Sequence, residues 1–449
     1  MTNRPRGRAV LAAPATALLI GLTGCMGPSA SQAPAAEAAD ASDWGEPTGT
    51  VEFWDTNANA TLTPVWEGLI ADFEAEHPEI DVEYVGLPNS SALQKVDNAL
   101  ASGAVPDVLL VGNDVANLIA QNALTRVDEV FESSGLADAS DPTMVDSERG
   151  NAPDDGLYKV PLTSLSDVIW YRTDWLAQAG LSEPTSYDEF FERTQQLNAP
   201  DENRFGYAFR GGPGSMPPMF AMTYGMSGVG EFFTEDGQAT LDDPANVEAF
   251  KRYVSLYGSV SAEADLTNDY PKIVAAFDGG SAWATHHNLG SYQDHVKALG
   301  AQNVAGVQPF PDEDGVVTAT TPAISGLGLM AESDAKAAAW EFIEYMTTTG
   351  NSSYAEAVGQ VPASLEAQEA PWLQDSQPLR EIVETAEDPK TQYVQLPIYL
   401  PDYASICKTE MEPDLQAVLT GAMAPEAFLT KYAERFEQAL AEYEQYAGR

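Results

Sequence analysis

The chain has 449 residues, more than one typical domain, and 44% of them are hydrophobic, enough to fill real cores. Its formal net charge is −46, and the first 24 residues carry Arg4, Arg6 and Arg8 but no acid, so the rest of the chain is more acidic still. Phosphate backbones and anionic lipid surfaces repel such a protein, which excludes nucleic acid as a partner.

The chain opens with those three arginines and then a short apolar run, Ala9–Leu22. The run is too short for a comfortable membrane span and has the flanks of a signal peptide. It ends Leu22-Thr23-Gly24-Cys25, which is similar to the bacterial lipobox, where cleavage precedes a lipid-modified cysteine. Residues 1–24 are therefore expected to be a lipoprotein signal peptide. Cys25 would then carry the lipid that holds the protein on the outer face of the cell membrane. Residues 25–48, rich in Ala, Ser and Pro, read as a tether outside the fold. Cys407 is the other cysteine of the chain, so with Cys25 lipidated no internal disulfide forms. Its expected role is a small buried hydrophobe.

The first folded stretch alternates strand and helix signals. Val51–Trp54 is a short strand. Leu62, Val65, Trp66, Leu69, Ile70 and Phe73 then recur at helical spacing, with Pro64 at the start and His77-Pro78 as the stop. Ile80, Val82 and Tyr84 alternate as in a strand, Leu93, Val96 and Leu100 mark a helix, and Val108–Val111 is an apolar run suited to a doubly covered parallel strand. This order predicts a doubly wound α/β sheet, in which ligands bind beyond the carboxyl ends of the strands. Trp54, Asp55, Asn57 and Asn59, with Asp114, therefore fall on the ligand side.

Val160–Gly180 separates this pattern from a second one and reads as the first crossing of a two-lobed protein, with Thr163 beside the cleft. Tyr187 lies next to a helix over Asp188–Leu197, and Arg204–Arg210 is a strand. Gly211–Pro218 is glycine- and proline-rich but has no lysine partner, so it predicts a bent cleft loop rather than a phosphate cradle. The stretch Phe277–Tyr292 holds Trp283, His286, His287 and Asn288. Adjacent histidines point apart on a strand or helix, so they do not make a metal pair alone, and no metal or cofactor is expected. Gln308–Pro311 and Gly359–Ala363 read as the second and third crossings, with Thr321–Gly326 bringing Ser325 and Gly326 to the cleft and Tyr403 closing one end.

Several motifs resemble, in order, the extracellular solute-binding proteins of ABC importers, in particular the family 1 carbohydrate binders related to maltose-binding protein. They are Val51–Trp54, Ala101-Ser102-Gly103 with Pro106-Asp107-Val108, Leu157–Pro161, Ile169-Trp170-Tyr171 with Asp174, Glu183–Phe190, Ala339–Ile343, Gly359–Ala363 and Pro425–Leu429. Two departures stand out: Arg172 after the strand tyrosine, and Gly280-Ser281-Ala282-Trp283 in a segment that borders the pocket in relatives.

The resemblance implies a periplasmic-binding-protein-like fold of two doubly wound lobes joined by a three-segment hinge. Lobe one would comprise 49–161 with 310–360, and lobe two 162–309 with 361–449. It places Ser215 and Met216 near the pocket. It implies a monomer that captures a mono- or oligosaccharide and delivers it to the permease subunits in the membrane. Sugar recognition suits Asp55, Asn57, Asn59, Asp114, Arg210, His286, His287 and Asn288 as hydrogen-bonding groups, and Trp283 and Trp54 as stacking faces. No GxSxG, HExxH or Walker pattern occurs, so an enzyme is not expected. Two alternatives stay open. One is a secreted glycoside hydrolase with paired carboxylates. The other is the same fold binding a polyol, peptide or phosphorylated solute, with Arg210 and the glycine-rich loop on the phosphate.

Overall fold

The computed structural model describes residues 41–447 apart from Thr61. The signal-peptide and Cys25 expectations lie outside these residues. The strands are β1 Gly49–Asp55, β2 Ile80–Gly86, β3 Val108–Val111, β4 Val160–Leu165, β5 Asp167–Arg172, β6 Phe205–Ala208, β7 Ala282–Asn288, β8 Val304–Val307, β9 Val317–Thr320, β10 Ala323–Leu329, β11 Val361–Pro362 and β12 Thr391–Val394. They form two main sheets and a two-stranded ribbon, with orders β11-β4-β10-β3-β1-β2, β6-β7-β5-β8 and β12-β9.

In the first sheet β1, β2 and β3 run parallel, while β10 runs against β3 and β4. In the second, β6 and β7 are parallel and β5 runs against β7 and β8. The antiparallel members include the strands on either side of the first crossing. Strand alternation splits the first lobe's core in two: Val51, Phe53, Val108 and Leu110 pack with Trp66, Phe73, Phe342 and Ile343, while Leu109 and Val111 pack with Val115, Leu118 and Ile119. The second lobe's core joins Tyr207, Phe209, Phe220 and Tyr253 to Phe428, Tyr432 and Phe436 of the helix Pro425–Ala447. That apolar stripe is why the end of the chain returns to lobe two.

Two expectations are corrected. Trp44, expected in the tether, packs against Trp340 with ring centroids 6.2 Å apart, so it belongs to the lobe-one core. Gln308–Pro311 is not the second crossing, because Phe310 lies in the lobe-two core against Tyr187 and Phe190. The chain then forms β9, paired with β12, and rejoins the first sheet only at Ala323.

The register fixes where the lobes face each other. Ala323 of β10 pairs with Leu165 at the end of β4, and Gly326 pairs with Val111 at the end of β3. Asp167 at the start of β5 pairs with Asn288 at the end of β7. Ser166 alone separates β4 from β5. The carboxyl ends of β1 and β3 and those of β6 and β7 therefore meet across the crossing. A further apolar group seals this junction, with Ile324 and Val361 from the first sheet beside Val168 and Trp170 from the second and Leu289 just after β7. Thr163 is fully buried there and donates to Gln360 Oε1 at 2.6 Å, tying the first crossing to the third.

Candidate functional site

The lobe-one rim is built from the loops after β1 and β3. Asp55 is buried, accepting from Tyr84 Oη and from Asn57 N, each at 2.8 Å. Burial nonetheless raises its carboxyl above the ordinary range. Asn59 Oδ1 accepts from Leu62 N at 3.0 Å and its amide donates to Asn57 O at 3.1 Å, closing the turn before the helix Thr63–Glu76. Thr56 donates to Leu110 O at 2.8 Å, and Asp114 Oδ1 accepts from Gly112 N at 3.2 Å. These side chains shape backbone. Trp54 turns the other way: its indole N–H reaches Glu52 Oε1, two residues back along the strand, at 2.8 Å. It packs, partly buried, against the apolar group of Leu109 and Val111 on one face of the sheet.

The lobe-two rim centres on Arg210, just after β6. Its Nε donates to Pro213 O at 2.8 Å, and its guanidinium lies where a Cβ on Gly214 would sit, so Gly214, at φ +81°, has to be glycine. Gly211 and Gly212 are bare for a related reason: their backbones press against Leu266 and Thr267, and a Cβ would lie 2.6 and 2.7 Å from carbonyl oxygens. Asp167, Asp269, Glu412 and Tyr253 all act electrostatically on Arg210. Burial lowers the Arg210 pKa against their pull. Burial also pushes Asp167 up to about 6, with Arg210 opposing. Glu412 is raised by burial, although it accepts from Gly214 N at 2.5 Å and also from Ser215 N. It reaches this loop as the first residue of the helix Glu412–Leu419, directly after the π-helical turn Ile406–Met411. Pro413, the next residue, has no N–H to close an α-helical bond, which suits a widened turn.

His286 and His287 sit on opposite faces of β7, both buried. Burial lowers His286 to about 3, and burial together with Arg210, His295 and His286 holds His287 well below its usual value, so both are neutral at pH 7. His287 stacks on Tyr270 at 4.5 Å. The Nδ1 atoms of both histidines, Ser215 Oγ, Tyr253 Oη and Asp269 Oδ1 are buried without a hydrogen-bond partner among the described residues. Asn288 Oδ1 caps the next turn through Gly290 N at 3.1 Å. Among the described residues no group of three or more His, Cys, Asp or Glu is arranged to hold a metal ion, and no helix is long and apolar enough to cross a membrane.

Residues 59–352 match the family described as bacterial extracellular solute-binding protein. The chain belongs to this family. Among similar members is an ABC transporter periplasmic-binding protein of Escherichia coli K12, YcjN, 26% identical over 307 residues, 67% of this chain and 69% of that one. The mannitol-binding protein of Pseudomonas aeruginosa is 25% identical over 306 residues, 66% of this chain and 69% of that one. The Listeria monocytogenes substrate-binding protein Lmo0181, solved with cycloalternan, superposes with a TM-score of 0.74 at 17% identity, covering 88% of this chain and 99% of that one. The two-lobed fold is thus that of this solute-binding family.

Within this solute-binding protein, several expected ligand residues are placed elsewhere. Trp283 is 0% exposed, wedged between Tyr171 and Phe190 with ring centroids 5.9 and 5.6 Å away, and its N–H donates to Arg172 O at 3.1 Å. Its ring is core, not a stacking face. Met216 opens the helix Met216–Ser227 and is buried in the same core. Tyr403 is buried beside Phe436 and hydrogen-bonds the Cys407 thiol, with Asp167 close enough to act on its hydroxyl. Thr163 is the hinge tie, and Gly326 lies under the stem of Lys159, where a Cβ would come 2.7 Å from Lys159 Cγ. Ser325 flanks an irregularity in the β10–β4 register and stays partly exposed. Arg210 lies close enough to His287 to act on it electrostatically, with Asn288 ending the same strand, whereas His286 faces the other side of β7.

The residues that sequence reasoning missed are Asp167, Asp269, Tyr270 and Glu412. Asp167 carried one usable signal, an acid directly before the apolar run Val168–Tyr171 at the crossing. Glu412 carried none, since it lies far from the loop it joins.

Proposed function

We propose that this chain is the extracytoplasmic capture subunit of an ABC importer, closing its two lobes over a neutral carbohydrate or polyol and presenting it to membrane permease subunits. The observation that carries the ligand class is the setting of Arg210 among Asp167, Asp269 and Glu412. One cation among three acids disfavours a phosphate ester. The Gly214 and Ser215 N–H groups that could cradle a phosphate already serve Glu412. Carboxylates, a guanidinium and neutral imidazoles together accept from and donate to hydroxyl groups. The mannitol-binding relative points the same way. Lipid attachment through Cys25, a monomeric state and the absence of catalysis belong to this reading, as does movement at the three crossings.

The test is tryptophan fluorescence and thermal melting of the 41–449 chain against sugar alcohols, mono- and oligosaccharides and their phosphate esters. A saturable shift with one neutral class, a raised Tm and the ligand recovered intact support the proposal. Preferential binding of phosphate esters, or release of a hydrolysis product, rejects it.

A further inference from the structure

Lys159 is 2% exposed and lies at the border of β4, one residue before Val160. Its ammonium has three N–H groups, and three oxygens lie within reach: Ile324 O at 2.9 Å, Glu148 Oε2 at 3.0 Å and Gly112 O at 3.2 Å. These come from three separate elements. Gly112 is the first residue of the loop after β3 and precedes Asp114 on the lobe-one rim. Ile324 is the second residue of β10, beside the crossing. Glu148 lies on the helix Pro142–Arg149 and is itself buried, its carboxyl raised by that burial against the pull of Lys159. The lysine stem reaches them across Gly326, where a side chain would overlap Val160 O and crowd Lys159 Cγ. The register of β10 against β4 shifts at this point, between Ser325 and Gly326.

We propose that Lys159 is a positioning residue for the ligand cleft. Its charge clamps the Gly112 carbonyl and the start of β10, so the lobe-one rim is held at a fixed distance from the crossing. Gly326 is the notch that lets it through, and Glu148 supplies the counter-charge that makes a buried ammonium tolerable. A single ammonium with two carbonyl acceptors and one ion-pair partner, on three elements, allows little play. A nonpolar residue of similar length would keep the packing and release the loop. That lysine and glycine serve each other explains why Gly326 looks like a cleft residue in the sequence without touching the cleft. The affinity part of this inference rests on the proposed carbohydrate or polyol site; the positioning part does not.

The experiment compares Lys159→Met with the double variant Lys159→Met/Glu148→Met, which leaves neither charge unpaired. The single variant is expected to melt lower than the parent, and the double variant to recover most of that loss. In both, amide hydrogen exchange in the peptide spanning residues 109–116 is expected to quicken about tenfold, with the 49–55 strand unchanged. In both, affinity for D-mannitol, ribitol or maltose, whichever the parent binds, is expected to fall about tenfold. A double variant that regains both Tm and parental exchange overturns the proposal, because the pair would then serve stability alone. Faster exchange with parental affinity overturns the link to the cleft. If the parent binds none of the three, the exchange result alone decides the positioning role, and the carbohydrate reading fails separately.

Discussion

On the lobe-one side of the cleft the polar side chains are bonded to their own lobe. Asp55 holds Tyr84 and Asn57, Asn59 closes its turn, Asp114 braces Gly112, and Lys159 donates to the Gly112 and Ile324 carbonyls and pairs with Glu148. Across the crossing, lobe two presents the reverse. Arg210 spends one N–H on Pro213 and, among the described residues, pairs directly with none of the acids around it. Five buried polar atoms near it or on β7 have no partner among the described residues. A buried polar atom left unpaired costs about 1–3 kcal/mol, so a rim that carries several is one that a ligand can reward. On the proposed function, the lobe-one rim acts chiefly as a frame and the lobe-two rim as the reading surface that a ligand completes.

The sharpest way to break this contrast is at Arg210. Arg210→Met is expected to weaken binding of the identified sugar or polyol at least 100-fold, about 2.7 kcal/mol, by titration calorimetry at pH 7.5. A loss under threefold removes Arg210 from the reading surface. Asp167→Asn comes next, at about tenfold. Because burial raises Asp167 to about 6, its ionised form dominates at pH 7.5 and is lost as pH falls through 6. Parental affinity should therefore drop between pH 7.5 and 5, and the Asn variant should flatten that profile. An unaltered profile in the variant assigns the pH dependence elsewhere.

His286, on the other face of β7, gives a stability test of lobe two. Its folded pKa is depressed to about 3, so the unfolded chain takes up the proton first as pH falls below about 6.5. Its contribution to stability is complete above that value and declines from there down toward 3. His286→Gln should lose less Tm than the parent between pH 6.5 and 4.5, and an equal loss in both assigns the acid sensitivity to other groups. On the lobe-one side, Asn59→Ala should lower stability by about 1 kcal/mol, as for a lost helix-start cap, and affinity by threefold or less. Trp54→Phe should leave affinity within twofold, the smallest effect of the set. A larger loss at Trp54 would move the reading surface to lobe one.

The strands and core positions of lobe one were legible in the sequence because their signals are local. Val108–Val111 is a strand with the bounds read from its apolar run, and Trp66 is buried as its helical spacing implied. Trp283 was misread because an indole near a strand end looks alike whether it faces a cleft or a core; only Tyr171 and Phe190, brought in by the fold, decide it. Arg210 and its glycines were visible as a polar loop. Their acids were not, since Glu412 meets Gly214 at a separation of 198 residues and nothing in its neighbourhood of the sequence points there. Gly326 shows the converse: its purpose is legible only through the lysine that passes over it.

The Gly214–Glu412 contact also says something about time. The reading surface draws on Asp167, Arg210, Asp269 and Glu412, four points spread across more than half the chain, while the strands β1, β2 and β3 form from one continuous stretch. Long loops must close before such a surface exists, and contacts of that span are slow to form. The proposed ligand surface would therefore form late, once Glu412 has joined the Gly214 loop. In a refolding time course, binding competence would trail the recovery of tertiary fluorescence, making the solute itself a reporter of complete maturation.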